Sequence, residues 1–532
     1  MPLRSESESP YSDPSRSWRD GWRIAIVVLV AGFGASLNLY HKDAFALLYY
    51  GDSVSHSVAA RKLFDWTNPG LQQLGTVWLP LPHFILLPFV VSKFLFVSGF
   101  SGALVGVTSL ACASALLYNM LRKSFPGAGK FLAAAGVLLF ALNPNVMYLA
   151  LTPMSEGPFL LFFTCAAYSF QRWRSRPDSF NYLAWCSLFT ALLTLTRYEG
   201  WFIPPFLFGL AVIDAAAERT PLRKRLLMIG ASVCSGLGLL LWILYNGLRY
   251  GNFFEFAGAK YYSAAVQMMG RADVAPLYHH PLRVLSFYLL MAERIFGKPL
   301  LAVALLGLVA VAMKKRHDRM SLALFLLLPP LFTMTALFLG TAGMSEWLNS
   351  RYLILLAAAL SYLCVSLLEA VAETPFRFAP ILAFAFAAGV MWFPFSRPFF
   401  ADVTTFNEGR NGFNYRQNPS AVQTGLALKN AYDGGGIVIL TGSAQEHRIM
   451  ITSGIDLKEF DELIASSEGK VAYERPWLTG KWVVIGKEPD SDARDPADHW
   501  LKKKGELLEH YSLFYQNQYY EVLCLAPNRI VR

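Results

Sequence analysis

Asp52 and His56 are the first residues in this sequence whose types and spacing suit chemistry. They lie in the stretch 49–83, YYGDSVSHSVAARKLFDWTNPGLQQLGTVWLPLPH, which is polar and proline-rich, follows the first apolar run and cannot lie in lipid. Helical spacing puts the carboxylate and the imidazole on one face of a short helix at a membrane surface. A carboxylate there suits a general base. A base there can take the proton of an attacking hydroxyl, and where the leaving group is a phosphate, which departs readily, no strong acid is required beside it. One carboxylate suffices, and Asp52 is the candidate. The structural alternative is a helix N-cap, since Asp-Ser-Val-Ser is an ordinary helix start, and the two roles are compatible.

Other ionisable residues stand at membrane entrances, where a charge is a functional candidate by default. Glu156, in Thr152-Pro153-Met154-Ser155-Glu156, opens a membrane helix as a second cavity carboxylate or as a partner of the helix dipole. Arg197 and Glu199, in Thr196-Arg197-Tyr198-Glu199-Gly200-Trp201, either pair with each other or leave Arg197 for a phosphate. Arg351, in Asn349-Ser350-Arg351-Tyr352, is the second candidate phosphate ligand, with snorkelling to headgroups as the alternative. His56 and His83 could join carboxylates around a divalent metal, although no His-Glu-x-x-His pattern occurs. Lys260, Tyr261 and Tyr262, with His279-His280, are candidates for gripping donor or acceptor, or belong to an interfacial amphipathic helix.

The elements that must position these residues follow from composition. Of 532 residues 54% are hydrophobic and 16% charged, which is a membrane protein's balance. Cys112, Cys165, Cys186, Cys234 and Cys364 sit in apolar runs and only Cys524 lies in the polar tail, so no disulfide framework or thiolate metal site is expected. The net charge of +10 gathers in short clusters between apolar runs, which topology explains without a nucleic-acid partner.

Residues 1–21 resemble a disordered cytoplasmic tail rather than a signal peptide. Apolar runs follow at 22–40, 102–120, 131–149, 159–170, 182–195, 202–213, 227–245, 300–313, 322–339, 353–368 and 381–395, about eleven in all. Basic clusters at Arg122-Lys123, Arg172/Arg174/Arg176, Arg223-Lys224-Arg225 and Lys314-Lys315-Arg316 fall on the side of the N-terminus only if the proline-broken run 79–97 does not span. It is expected to be interfacial or re-entrant. The candidate residues then share the outer face of a plasma (inner) membrane, with the N-terminus cytoplasmic. From 396 to 532 the composition is that of a soluble domain. A helical pattern over 421–431, the strand-like GGIVILTG, 481–486 and the aromatic run 511–525 predict a small α/β fold. Gly434–Gly436 read as a turn, since no Gly-Lys-Ser/Thr follows. The expected architecture is thus a polytopic α-helical membrane domain (22–395) with interfacial helices in its first outer loop, followed by an outer α/β domain (396–532).

Five of these motifs carry a resemblance: Gly51-Asp52-Ser53 with Ser55-His56, Leu79-Pro80-Leu81-Pro82-His83, Leu142-Asn143-Pro144 leading to Glu156, the Arg197–Glu199 segment, and Asn349-Ser350-Arg351-Tyr352-Leu353. In order and spacing the chain resembles membrane glycosyltransferases of the C type (GT-C), close to the protein O-mannosyltransferases and aminoarabinose transferases of the glycosyltransferase family 39-like group. The resemblance implies a polyprenyl-phosphate sugar donor and Asp52 as the catalytic base. It also implies that Glu156 faces the same cavity and that Arg197 and Arg351 lie near the lipid phosphate. Many members carry a second acidic residue directly after the loop aspartate; Ser53 stands there instead, against a two-carboxylate or metal-bridged first loop. A transporter or flippase of lipid-linked sugars is the competing class, but no internal repeat relates the two halves of the chain.

Overall fold

The computed structural model describes residues 14–176, 180–216, 221–258, 271–272, 274–345, 348–374, 403–440, 445–462, 473–487 and 496–526, with isolated positions at 378, 381–382, 385 and 389. Among these, five helices are long and apolar enough to cross a bilayer: Ser17–Lys42, Phe100–Ser124, Tyr198–Ala216, His317–Leu339 and Ser350–Ala372. Three bent pairs raise the number to eight if each is one span. The chain is a multi-pass membrane protein. Its contacts sort into two units, one of Met1–Ala35, Gly106–Leu151 and Ser155–Phe406, the other of Ser36–Val105, Thr152–Met154 and Asn407–Arg532.

In the first unit, two apolar runs that read as straight, 131–149 and 227–245, are broken. The run 131–149 divides into Pro126–Ala141 and Pro144–Leu151, bent by 57°. Pro144 has no N–H and disfavours helix in the residue before it, so the chain restarts there. Asn143 caps the restart, its Oδ1 accepting from Asn145 N at 2.9 Å. The amides of Asn143 and Asn145 both donate to Ile295 O, at 3.2 Å each, near the end of helix Pro281–Phe296. That helix turns by 117° into Lys298–Met313 at Gly297, whose φ is +80°. A further pair, Leu222–Cys234 and Leu237–Tyr250, bends by 46°. Irregular backbone inside an apolar protein needs such polar partners, because no water reaches it. The run 159–170 falls within helix Glu156–Ser175, and the run 182–195 falls within helix Phe180–Thr194 apart from its last residue. The expected run 381–395 and the domain boundary at 396 lie almost wholly outside the described residues.

The second unit is built on a five-stranded mixed sheet in the order β2-β1-β3-β5-β4. Its strands are β1 (Ile437–Leu440), β2 (Phe460–Glu462), β3 (Trp482–Gly486), β4 (Tyr511–Gln516) and β5 (Tyr520–Leu525). β1 runs parallel to β2 and β3, and the remaining pairings are antiparallel. Gly434, Gly435 and Gly436 all have positive φ, so the expected turn depends on glycine. Both sheet faces are covered, which is why GGIVILTG reads as a continuous apolar run. Val438, Leu440, Val483 and Ile485 pack with Trp500 and Leu507. On the opposite face Ile437, Ile439 and Val484 share one core with Val54, Val58, Leu86, Val90 and Phe96. The C-terminal sheet therefore completes its core with side chains from residues 54–96. The run 79–97 becomes helices Leu81–Val90 and Lys93–Ser98, of ten and six residues. At 1.5 Å per residue, neither is long enough to cross the roughly 30 Å of hydrocarbon.

Glycine sets how closely the first unit's helices approach. A Cβ at Gly106 would stand 2.2 Å from Ala150 O. Close backbone contact through small residues is the usual means of helix association in lipid. Gly106→Val is expected to destabilise the protein by about 3 kcal/mol, the upper range for overpacking. Thermal unfolding in detergent should show a clear drop in melting temperature.

Candidate active site

In the first unit four ionisable residues meet away from solvent. Glu156 begins helix Glu156–Ser175 and is fully buried. Its Oε1 accepts from Arg197 Nη1 at 2.7 Å and lies 3.9 Å from Arg351 Nε. Its Oε2 is buried and makes no hydrogen bond among the described residues. Arg197 sits in extended backbone just before the short turn Tyr198–Phe202. There it also donates from Nη1 to Ser155 Oγ at 2.9 Å and, through Nε and Nη2, to Glu199 at 3.2 and 2.6 Å. This fork-to-carboxylate geometry is the strong form of an ion pair.

Arg351 enters on the stretch Ser350–Leu356 behind Asn349, whose backbone is left-handed at φ +58°. Asn349 tolerates this by local side-chain bonding: its amide donates to Gly343 O at 2.8 Å and its Oδ1 accepts from Arg351 Nη2 at 3.3 Å. The Tyr352 ring has both guanidinium groups near it, Arg197 at 5.4 Å and Arg351 at 5.5 Å from its centroid. Two arginines and two carboxylates make the cluster neutral overall. The pairing of Arg197 with Glu199 is one of the two alternatives in the sequence; Glu156 is a candidate there as a cavity carboxylate, but its bond to Arg197 and that of Ser155 reach across some forty residues, which spacing does not reveal.

The second unit holds Asp52, His56 and His83. Asp52 is the second residue of helix Gly51–Lys62, and Tyr50 occupies the cap position without a side-chain cap bond. Asp52 is thus not the N-cap. Half-buried in the first turn, it stands where helix N–H groups and the dipole favour a carboxylate. One turn on, His56 is buried, with its Nδ1 3.0 Å from His83 Nε2 and its ring 4.5 Å from that of Trp78, a neighbour not singled out in the sequence. Burial pushes His83 down to about 4, so it is neutral at ordinary pH. The two imidazoles are hydrogen-bonded to each other, which is not how co-ligands of an ion sit. Among the described residues no three His, Cys, Asp or Glu side chains group as metal ligands. Lys260, Tyr261 and Tyr262 lie outside the described residues. His279 is held in its loop by donating N–H to Phe338 O at 2.9 Å.

No family model matches this sequence. None of the curated proteins matches it either. Solved structures do. ArnT from Cupriavidus metallidurans bound to undecaprenyl phosphate superposes with a TM-score of 0.54 at 13% identity, covering 94% of this chain and 98% of that one. The fold is that of ArnT. The apo state of ArnT gives a TM-score of 0.51 at 14% identity, over 88% of this chain and 92% of that one. An Archaeoglobus fulgidus oligosaccharyltransferase tethered to an acceptor peptide gives 0.47 at 13% identity, over 92% and 72%. The likeness to ArnT runs along nearly the whole chain, so the resemblance to GT-C enzymes noted in the sequence extends to the architecture. Within this ArnT-type fold, Glu156, Arg197, Glu199 and Arg351 belong to one unit and Asp52, His56 and His83 to the other.

Two predictions follow from the clusters. Arg197→Met leaves buried carboxylates without their cation and should cost about 3–5 kcal/mol, read as a lower melting temperature in detergent. For His83 the folded value lies below the ordinary 6.5, so the unfolded chain takes up the proton first as pH falls. Stability is therefore intact above about pH 6.5 and declines towards pH 4 by on the order of 3 kcal/mol. His83→Gln should flatten that part of a stability-against-pH curve.

Proposed function

We propose that this protein is a membrane glycosyltransferase that takes a sugar from a polyprenyl-phosphate carrier and passes it to an acceptor hydroxyl of a protein, lipid or glycan. The observation that carries this reading is a fold shared over 94% of the chain with ArnT bound to undecaprenyl phosphate. Two buried arginines in the same chain support it. Transfer takes place at the outer face of the plasma membrane, with the N-terminus cytoplasmic, as the distribution of basic residues supports. A mannosyl donor is the first to try.

Asp52 takes the proton from the acceptor hydroxyl. The oxygen attacks the anomeric carbon from the face opposite the phosphate, the carbon–oxygen bond to phosphate breaks, and its electron pair leaves with the polyprenyl phosphate. The product is inverted. Arg351 and Arg197 offset the charge gathering on the phosphate. Glu156 and Glu199 hold Arg197 charged and in place beforehand, so little reorganisation is needed during the reaction. His56, His83, Glu199, Lys260, Tyr261 and Tyr262 remain the substrate-binding candidates. A divalent metal is an option that activity after chelation would test.

The deciding experiment supplies radiolabelled polyprenyl-phosphate sugars and membrane extract to purified wild type and Asp52→Asn. Label should pass to a new product with the wild type, about 100- to 10,000-fold more slowly with the variant, as for loss of a general base. Arg351→Gln should lower turnover by about 100-fold or more, and NMR of the product should show inverted anomeric configuration. Full transfer by Asp52→Asn would remove Asp52 from the mechanism. Movement of the lipid across vesicles without any transfer would identify a flippase instead.

A further inference from the structure

The turn that delivers Asp52 is held from the far end of the chain. Arg448, in helix Gln445–Ser453, is 3% exposed. Its Nη1 and Nη2 donate to the carbonyls of Leu48 and Tyr49, at 3.1 and 2.8 Å, and its Nε donates to Asn418 Oδ1 at 3.1 Å. Phe413 lies 4.9 Å from the guanidinium, and the same ring packs against Tyr49 with centroids 5.1 Å apart. The adjacent residue, His447, meets Ser55 Oγ through Nδ1 at 2.9 Å. Consecutive side chains of one helix therefore grip both the two carbonyls just before helix Gly51–Lys62 and that helix one turn in, with Asp52 between them.

A planar fork bonding two successive carbonyls fixes direction as well as distance, which a lysine cannot do. At the helix's own start Tyr50 makes no side-chain cap bond, and Ser53 Oγ donates to the Tyr50 carbonyl at 2.7 Å. We propose that Arg448 is a positioning residue for the Asp52 carboxylate, through which the C-terminal region sets the geometry of the base. This rests on the reading of Asp52 as general base. A misplacement of about 1 Å in a reacting group is worth up to roughly 100-fold in rate. The effect belongs in kcat, because the base acts on the acceptor's proton while the donor is held elsewhere.

The test uses the full-length protein in the transfer assay, with Asp52→Asn, Arg448→Lys and Arg448→Ala alongside wild type. Expected for Arg448→Lys is a fall in kcat of about 10- to 100-fold, with the KM for the lipid donor unchanged. For Arg448→Ala, added guanidinium ion should restore kcat and methylammonium should not. Arg448→Lys keeps charge and most of the volume, so it serves if Arg448→Ala does not fold. The proposal is overturned if folded Arg448→Lys keeps its kcat. It is equally overturned if the variants lose only thermal stability or donor affinity. Should Asp52→Asn itself turn over normally, the fault lies with the base assignment, and this outcome is separate from the behaviour of the Arg448 variants.

Discussion

A charge with no water around it must be matched by another, and this requirement organises the protein's interior. Arg197 is placed by two carboxylates on different segments, Glu156 opening a long helix and Glu199 in the short turn just after Arg197 itself. The same rule fastens helices His317–Leu339 and Ala357–Ala372, where Glu369, fully buried, accepts from Arg319 at 2.5 Å, Lys314 at 3.1 Å and the Gly127 N–H at 3.1 Å. In the second unit Arg61 pairs with Asp65 at 2.7 Å, and Asp65 in turn accepts from the N–H groups of Leu457 and Lys458. Each cluster costs desolvation that only good geometry returns. The ion groups of both units are accordingly built alike.

The sequence conveyed type and neighbourhood better than partnership. Asp52 and His56 were legible because their spacing is local, and GGIVILTG because a strand buried on both faces leaves no polar alternation. Asn143-Pro144-Asn145 announces a break in the run 131–149, yet the run reads as one span because the residues on both sides are apolar. Helix Pro281–Phe296 and the bend at Gly297 fall outside every expected run, since the run 300–313 begins after them. His83 as the partner of His56 and Glu156 as the partner of Arg197 depend on tertiary contacts 27 and 41 residues apart in sequence. Arg448 was the least visible of all: in Gln-Glu-His-Arg-Ile-Met it looks like any charge on an amphipathic helix.

The arrangement of the second unit changes how the C-terminal region is understood. By composition it is a soluble appendage. By packing it shares one core with residues 54–96, the stretch that follows the first apolar run. One face of its sheet packs on those residues and the other on Trp500 and Leu507, while Leu513 and Phe514 of β4 stay half-exposed. Asp52 leads into a helix buried from Ser53 to Lys62.

That shared core also sets a schedule. The contact of Arg448 with Leu48 joins positions 400 residues apart. At a synthesis rate of about 5–20 residues per second, the loop helices wait roughly 20 to 80 s for the strands that will cover them. Throughout that interval Val54, Val58, Leu86 and Phe96 have no sheet to bury them, so the nascent protein must be guarded from aggregation, whether by the membrane surface or by a chaperone, until its last hundred residues arrive.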